Sequence, residues 1–169
     1  LLAGARQTDQ EINLAELPLD DRKTFKLLQG ANTTGVFQLE SQGIKRYLKQ
    51  LKPNKFEDIM AMVALYRPGP MELIPEFIAR KHGQKATKYL HPKLKPILEN
   101  TYGVMIYQEQ LMRVAQDLAG FTLAEADILR KAVGKKIKKL LDEQRDKMVE
   151  VMIKNEIEKD TAEKIWQFI

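Results

Sequence analysis

Apolar residues recur along this chain three and four positions apart, and each stripe lies between a residue that can start a helix and one that must stop it. Ser41 precedes Ile44, Tyr47, Leu48 and Leu51, and Pro53 closes that run. Asn54 with Glu57 makes a capping-box-like start for Phe56, Ile59, Met60, Val63 and Ala64, and Pro68 requires that helix to end near Arg67. Leu111, Val114, Ala115 and Leu118 mark a helix over residues 108–119 with Gly120 as its stop. Thr122 and Glu125 form a second capping box for Ala126, Leu129, Ala132 and Val133, up to Gly134. Ile137, Leu140, Leu141, Met148, Val151 and Met152 predict a longer helix. Asp160 with Glu163 opens a last one through Ala162, Ile165, Trp166 and Ile169, and Asp20 caps a short early one carrying Phe25 and Leu28 before Gly30. Strand signals are confined to two short runs behind glycines, residues 35–39 and 103–107. The expected fold class is mainly α, multi-helix, with at most one or two short strands.

A chain of 169 residues is one domain's worth, and 44% hydrophobic with 30% charged residues is a globular composition that excludes disorder as the main state. The absence of cysteine excludes disulfides, thiolate zinc sites and cysteine nucleophiles, and it fits a reducing cytoplasm. His82 and His91 are too few for a histidine metal cluster. No run approaches the roughly 20 apolar residues of a membrane span, so no membrane partner is expected. Leu1 in place of methionine, and an apolar end at Trp166-Gln167-Phe168-Ile169, suggest a segment of something larger. Five of the seven prolines fall between Arg67 and Pro96, which reads as a long functional connection with a turn or two of helix around residues 75–81.

The net charge is +5, and residues 123–139 carry +4 of it through Arg130, Lys131, Lys135, Lys136, Lys138 and Lys139 against Glu125 and Asp127. A positive patch on a near-neutral body is the footprint of a polyanion site, since cations that neutralise phosphates release counterions. Local rules account for part of it: Arg130 and Lys131 follow Asp127 by three and four residues, as helical ion pairs do. Lys135 and Lys136 have no acid one turn before them. If a new helix begins after Gly134 they stand at its positive end, where a phosphate relieves the conflict; if the helix runs through Gly134 they form a solvated face.

Other cations and polar groups sit at structural punctuation. Arg67 lies in Tyr66-Arg67-Pro68-Gly69-Pro70, where proline rings stiffen the backbone that presents its guanidinium to a phosphate or carboxylate. Arg80 and Lys81 form a basic pair just before Gly83. Tyr107, Gln108 and Gln110 open a helix with groups that either face a base or phosphodiester or cap the helix itself. Phe37 to Ser41 is read in the same way, with Ser41 as the cap. No Ser-His-Asp order, glycine-rich phosphate loop or Asp-x-Asp pair occurs, so no catalytic residue is expected within the chain.

Five segments in order resemble the C-family replicative polymerases, the alpha subunits of bacterial DNA polymerase III. They are Gly35-Val-Phe-Gln-Leu-Glu-Ser41, Ala64-Leu-Tyr-Arg-Pro-Gly-Pro70, Phe77-Ile-Ala-Arg-Lys-His-Gly83, Thr101-Tyr-Gly-Val-Met-Ile-Tyr-Gln-Glu-Gln110 and Ala126-Asp-Ile-Leu-Arg-Lys-Ala-Val-Gly-Lys-Lys136. The resemblance implies a helical fingers domain over residues 35–169, with residues 1–34 as the connection out of the palm. It implies that Arg130 and Lys131 approach the triphosphate of an incoming deoxynucleotide, with Lys135 and Lys136 beside them, and it moves Arg67, Arg80 and Lys81 to DNA or cleft contacts. Lys131 stands where the family has a second arginine, and Val133 where it more often has methionine. The implied partners are template-primer DNA, deoxynucleoside triphosphates, the palm of the same subunit and other replicase subunits. The implied cofactor is Mg2+ held by palm aspartates that have no counterpart here, so this chain itself is expected to bind no cofactor. Without the resemblance, the same patch also fits a helical module that docks an acidic protein partner, or a DNA-binding accessory domain with no nucleotide site.

Overall fold

A computed structural model describes residues 13–169; the first twelve residues of the expected 1–34 connection lie outside the described residues. The chain divides into two compact units at Met60 and Ala61, a boundary that falls inside helix α3 (Phe56–Leu65). Among the described residues there is no strand. Residues 35–39 close into turns, and residues 104–107 run extended without a partner to form a ladder. β-prone composition needs a second strand to satisfy its backbone, and neither run finds one.

In the first unit, α1 (Arg22–Gln29) packs on α2 (Gln42–Leu51). Asp21, rather than its neighbour Asp20, caps α1: its carboxylate accepts from the Thr24 backbone N–H at 2.7 Å. Phe25 and Leu28 of α1 and Ile44, Leu48 and Leu51 of α2 are buried, and Gln29 Nε2 donates to the Pro53 carbonyl at 2.8 Å. Ser41 caps α2 as its position predicts. The start of α3 is held by buried Asp58, not Glu57, which accepts from the backbone N–H groups of Asn54 and Lys55 at 3.1 and 3.3 Å.

In the second unit, α4 (Ile74–Lys81) and the short α5 (Lys95–Leu98) precede a bundle of four helices: α6 (Gln108–Ala119), α7 (Leu123–Lys135), α8 (Lys138–Lys154) and α9 (Lys159–Gln167). One core joins Leu94 and Leu98 with Leu111, Val114 and Leu118 of α6, Leu129 of α7, Met148 and Met152 of α8, and Ile165 of α9. Each such side chain contributes about 1.5–3 kcal/mol when fully buried. Gly120 ends α6 at φ +65°, and Asn155 Nδ2 ties the end of α8 to the Leu118 carbonyl at 3.0 Å. Only the C-terminal half of α8 contributes buried residues, so its lysine-bearing start stands in solvent. Among the described residues, no helix is long and apolar enough to cross a membrane.

Candidate polyanion site

The first turn of α7 is fixed by the Thr122–Glu125 capping box. The Thr122 backbone N–H donates to Glu125 Oε2 at 2.8 Å, and the Glu125 N–H donates to Thr122 Oγ1 at 3.3 Å. Lys147 of α8 reaches the other carboxylate oxygen, Oε1, at 2.5 Å. This ammonium, then the Thr122 donors, pull the Glu125 carboxyl down to about 2.

With α7 anchored there, its next turns set Asp127, Arg130 and Lys131 on one face. Asp127 Oδ1 accepts from Arg130 Nε at 2.9 Å and pairs with Nη2 at 2.8 Å, while Oδ2 pairs with Lys131 Nζ at 2.7 Å. Lys131 first, and Arg130 second, hold the Asp127 carboxyl below its ordinary value. The expected helical ion pairs are therefore both present on one carboxylate. Arg130 makes a third contact that crosses to the neighbouring helix, its Nη1 donating to Gln108 Oε1 at 3.1 Å. The cluster of two cations, one carboxylate and one amide is half-open to solvent and keeps a net charge of +1.

The end of α7 corrects one expectation. The helix does not stop at Gly134; it continues to Lys135, and Lys136 takes the left-handed conformation at φ +51° that glycine would be expected to supply. Backbone bonds from Lys136 N–H to the Val133 carbonyl and from Ile137 N–H to the Ala132 carbonyl close the turn. Lys135 thus sits at the negative end of α7, where a cation is favourable, and not at the positive end of a new helix. Lys135 and Lys136 are both exposed, and Lys138 and Lys139 open α8 in their place.

Gln110 is buried, and its amide is used at both ends. Oε1 accepts from the backbone N–H groups of Ile106 and Tyr107 at 2.8 and 3.0 Å, and Nε2 donates to Thr101 Oγ1 at 2.8 Å and to the Ile97 carbonyl at 3.3 Å. It pins the extended segment 104–107 and the start of α6 to the turn at Thr101. Gln108, exposed, is the member of this set in contact with Arg130, and Tyr107 is half-buried.

Arg67 is exposed in the turn after α3, where Gly69 takes φ +98°. Arg80 is largely buried. It pairs with Glu76, and its Nη1 donates to the Tyr102 carbonyl at 3.1 Å. A Cβ at Gly103, which has φ +75°, would stand 2.8 Å from Arg80 Nη1. Backbone conformation favours glycine there, and a larger residue would also have to push the Arg80 guanidinium aside. Lys85 also pairs with Glu76, at 2.9 Å, and with Arg80 lowers that carboxyl. None of Arg80's bonds reaches the Arg130 cluster. Lys81 is half-buried beside it at the end of α4. Among the described residues, no three acidic or histidine side chains converge as a metal would need.

The chain matches the family described as the bacterial DNA polymerase III alpha subunit finger domain over residues 3–156, and it belongs to that family. It is 52% identical over 158 residues to the DNA polymerase III subunit alpha of Halalkalibacterium halodurans, covering 94% of this chain and 14% of that relative. Against the same-named proteins of Aquifex aeolicus and Bacillus subtilis it is 50% and 51% identical, covering 94% and 97% of this chain and 14% and 15% of theirs. The chain thus spans about one-seventh of the length of these relatives.

Proposed function

We propose that this chain is the nucleotide-gripping part of a replicative DNA polymerase alpha subunit, which binds the triphosphate of an incoming deoxynucleotide opposite template-primer DNA for DNA-directed synthesis. The observation that carries this reading is the shared clamp on α7. Arg130 and Lys131 are aligned by Asp127, and Arg130 is further fixed by Gln108, so two cations are oriented before any ligand arrives. Cations positioned in advance stabilise polyphosphate charge without the cost of ordering long side chains. Arg130 offers a planar fork for two phosphate oxygens, and Lys131 offers a point charge. Lys135 and Lys136 add to the local positive field. In this reading Gln108 and Tyr107 meet the ligand or the DNA backbone, with Gln110 as the residue that positions them. Arg67, Arg80 and Lys81 belong to the DNA-facing side, where Arg80 orders the segment around Tyr102 and Gly103.

Within this reading, residues 1–34 are the connection from a palm domain and residues 35–169 the fingers. Mg2+ belongs to palm aspartates. In this reading the part played by this chain is to bind, align and neutralise. Other replicase subunits complete the assembly, in the cytoplasm.

The test is steady-state nucleotide incorporation by the full alpha subunit. Arg130→Gln and Lys131→Gln should each raise the deoxynucleotide KM, by roughly 10-fold or more for the arginine. An unchanged KM with both substitutions would favour an accessory DNA-binding or protein-docking role.

A further inference from the structure

Gly134 has no explanation within the fold. It is exposed in the last turn of α7, its φ is not left-handed, and nothing lies within 4 Å of a Cβ built on it. Glycine inside a helix is disfavoured relative to alanine, because it loses more backbone freedom on folding. The position that would favour glycine falls two residues later, at Lys136, whose φ is +51°. Helix termination alone would be better served by a side chain at 134 and a glycine at 136.

The residues around it carry a second departure of the same kind. Arg130 lies one turn before Gly134 and Lys131 one turn before Lys135, so these four positions are the corners of one patch on α7. Lys131 and Lys135 are like charges one turn apart, an arrangement that weakens a helix. The helix dipole accounts for a cation at Lys135, near the C-terminal end, but not for a glycine beside it. Between the cations at 130–131 and those at 135–136, Ala132 is buried and Val133 half-buried, so only Gly134 faces solvent, and it has no side chain to present. A bare stretch of helix surface is thus bordered by cations on two sides, about one 5.4 Å turn apart along the axis. Two choices that each destabilise the end of α7 coincide there, as is expected where function and not folding selects the residue.

We infer that Gly134 keeps the surface of α7 clear for a polyphosphate chain. A nucleotide held by Arg130 and Lys131 lies against the helix backbone at Gly134, and its remaining phosphate oxygens reach Lys135 and Lys136. A side chain at 134 would hold the phosphates off the helix and out of reach of one pair of cations or the other. Close approach of a ligand to backbone is one of the uses that only glycine serves. The inference rests on the nucleotide-binding reading above and deepens it, since it gives a missing side chain a part in recognition.

Steady-state incorporation by the full alpha subunit carrying Gly134→Ala or Gly134→Gln tests it, with thermal unfolding of each variant and its primer–template affinity measured without nucleotide. Alanine should raise the deoxynucleotide KM roughly tenfold, the factor that one added carbon is worth in a close-fitting site, and glutamine should raise it further. The kcat and the primer–template affinity should stay near those of the parent, and the melting temperature should hold or rise. An unchanged KM in both variants, a loss confined to kcat as from a hinge, a weaker primer–template affinity in place of the KM effect, or a lower melting temperature would each overturn the inference. Arg130→Gln reads the clamp by itself. A KM raised by Arg130→Gln and not by Gly134→Ala rejects the role of Gly134 and leaves the clamp standing, whereas a KM raised by neither rejects both.

Discussion

Arg130 on α7 and Gln108 on α6 are joined by a 3.1 Å hydrogen bond from Nη1 to Oε1, so the guanidinium is steered from two helices at once. The Asp127 contacts alone would leave it free to pivot about one carboxylate oxygen; the Gln108 amide fixes its plane. Gln108→Ala should therefore raise the deoxynucleotide KM of the full subunit several-fold, the equivalent of about 0.5–1.5 kcal/mol for one hydrogen bond. Stability should move by less than about 0.5 kcal/mol, because the residue is exposed. Kinetics paired with thermal unfolding separates the two effects, and an unchanged KM would show that the guanidinium plane does not matter.

Gln110 lies two residues further on, and its substitution should behave in the opposite way. Gln110→Ala removes the acceptor of the half-buried Ile106 and Tyr107 backbone donors and the donor to the buried Thr101 hydroxyl, which keeps its own bond to the Leu98 carbonyl, and should cost about 1–3 kcal/mol in urea unfolding. A Gln110 variant of unaltered stability that lost DNA affinity would make the residue a contact in its own right.

The Glu125 carboxyl gives a pH dependence with a defined sign. Its native value of about 2 lies below the ordinary 4.5, so between these values the unfolded chain binds more protons than the native one. Its stabilising contribution is complete above about 4.5 and is lost as pH falls toward about 2. Glu125→Gln keeps an acceptor for the Thr122 N–H but removes the ion pair with Lys147. The stability gap between parent and variant should be open at neutral pH and closed near pH 2, read by urea unfolding at each pH. A gap that widens on acidification would contradict the Lys147 pairing.

Gly134 distinguishes a helix that ends there from one that runs through. Nothing lies within 4 Å of a Cβ built at this position. Gly134→Ala should then stabilise the chain by about 0.5–1 kcal/mol, the usual gain from alanine within a helix. A glycine that stopped the helix with positive φ would give the opposite sign in the same thermal melt.

The succession of helices was legible because its signals are local. Ser41, Gly120 and the Thr122–Glu125 box each act within five residues of themselves, and each does what its spacing predicts. The misplaced boundaries have local competitors: Asp21 caps in place of Asp20, Asp58 in place of Glu57, and Lys136 takes the left-handed turn that Gly134 leaves unused. In the candidate site, the Asp127 pairs with Arg130 and Lys131 could be read from their three- and four-residue intervals. The Gln108–Arg130 bond and the Lys147–Glu125 bond could not, since each joins different helices. Gln110 was ambiguous for a different reason: three residues after Tyr107 is capping spacing, but periodicity does not show whether a polar side chain folds back or reaches outward.

Asp127 already pairs with both cations of its clamp, so a singly charged anion arriving there competes with a resident carboxylate and does not enter a vacant field. A chloride gains little from such an exchange, because it replaces one negative charge with one other. A ligand with several adjacent negative charges can engage Arg130 and Lys131 while Asp127 stays in place, or displace it at a profit. On the proposed reading the carboxylate thereby sets a threshold of charge density, which disfavours small singly charged ions without any steric barrier.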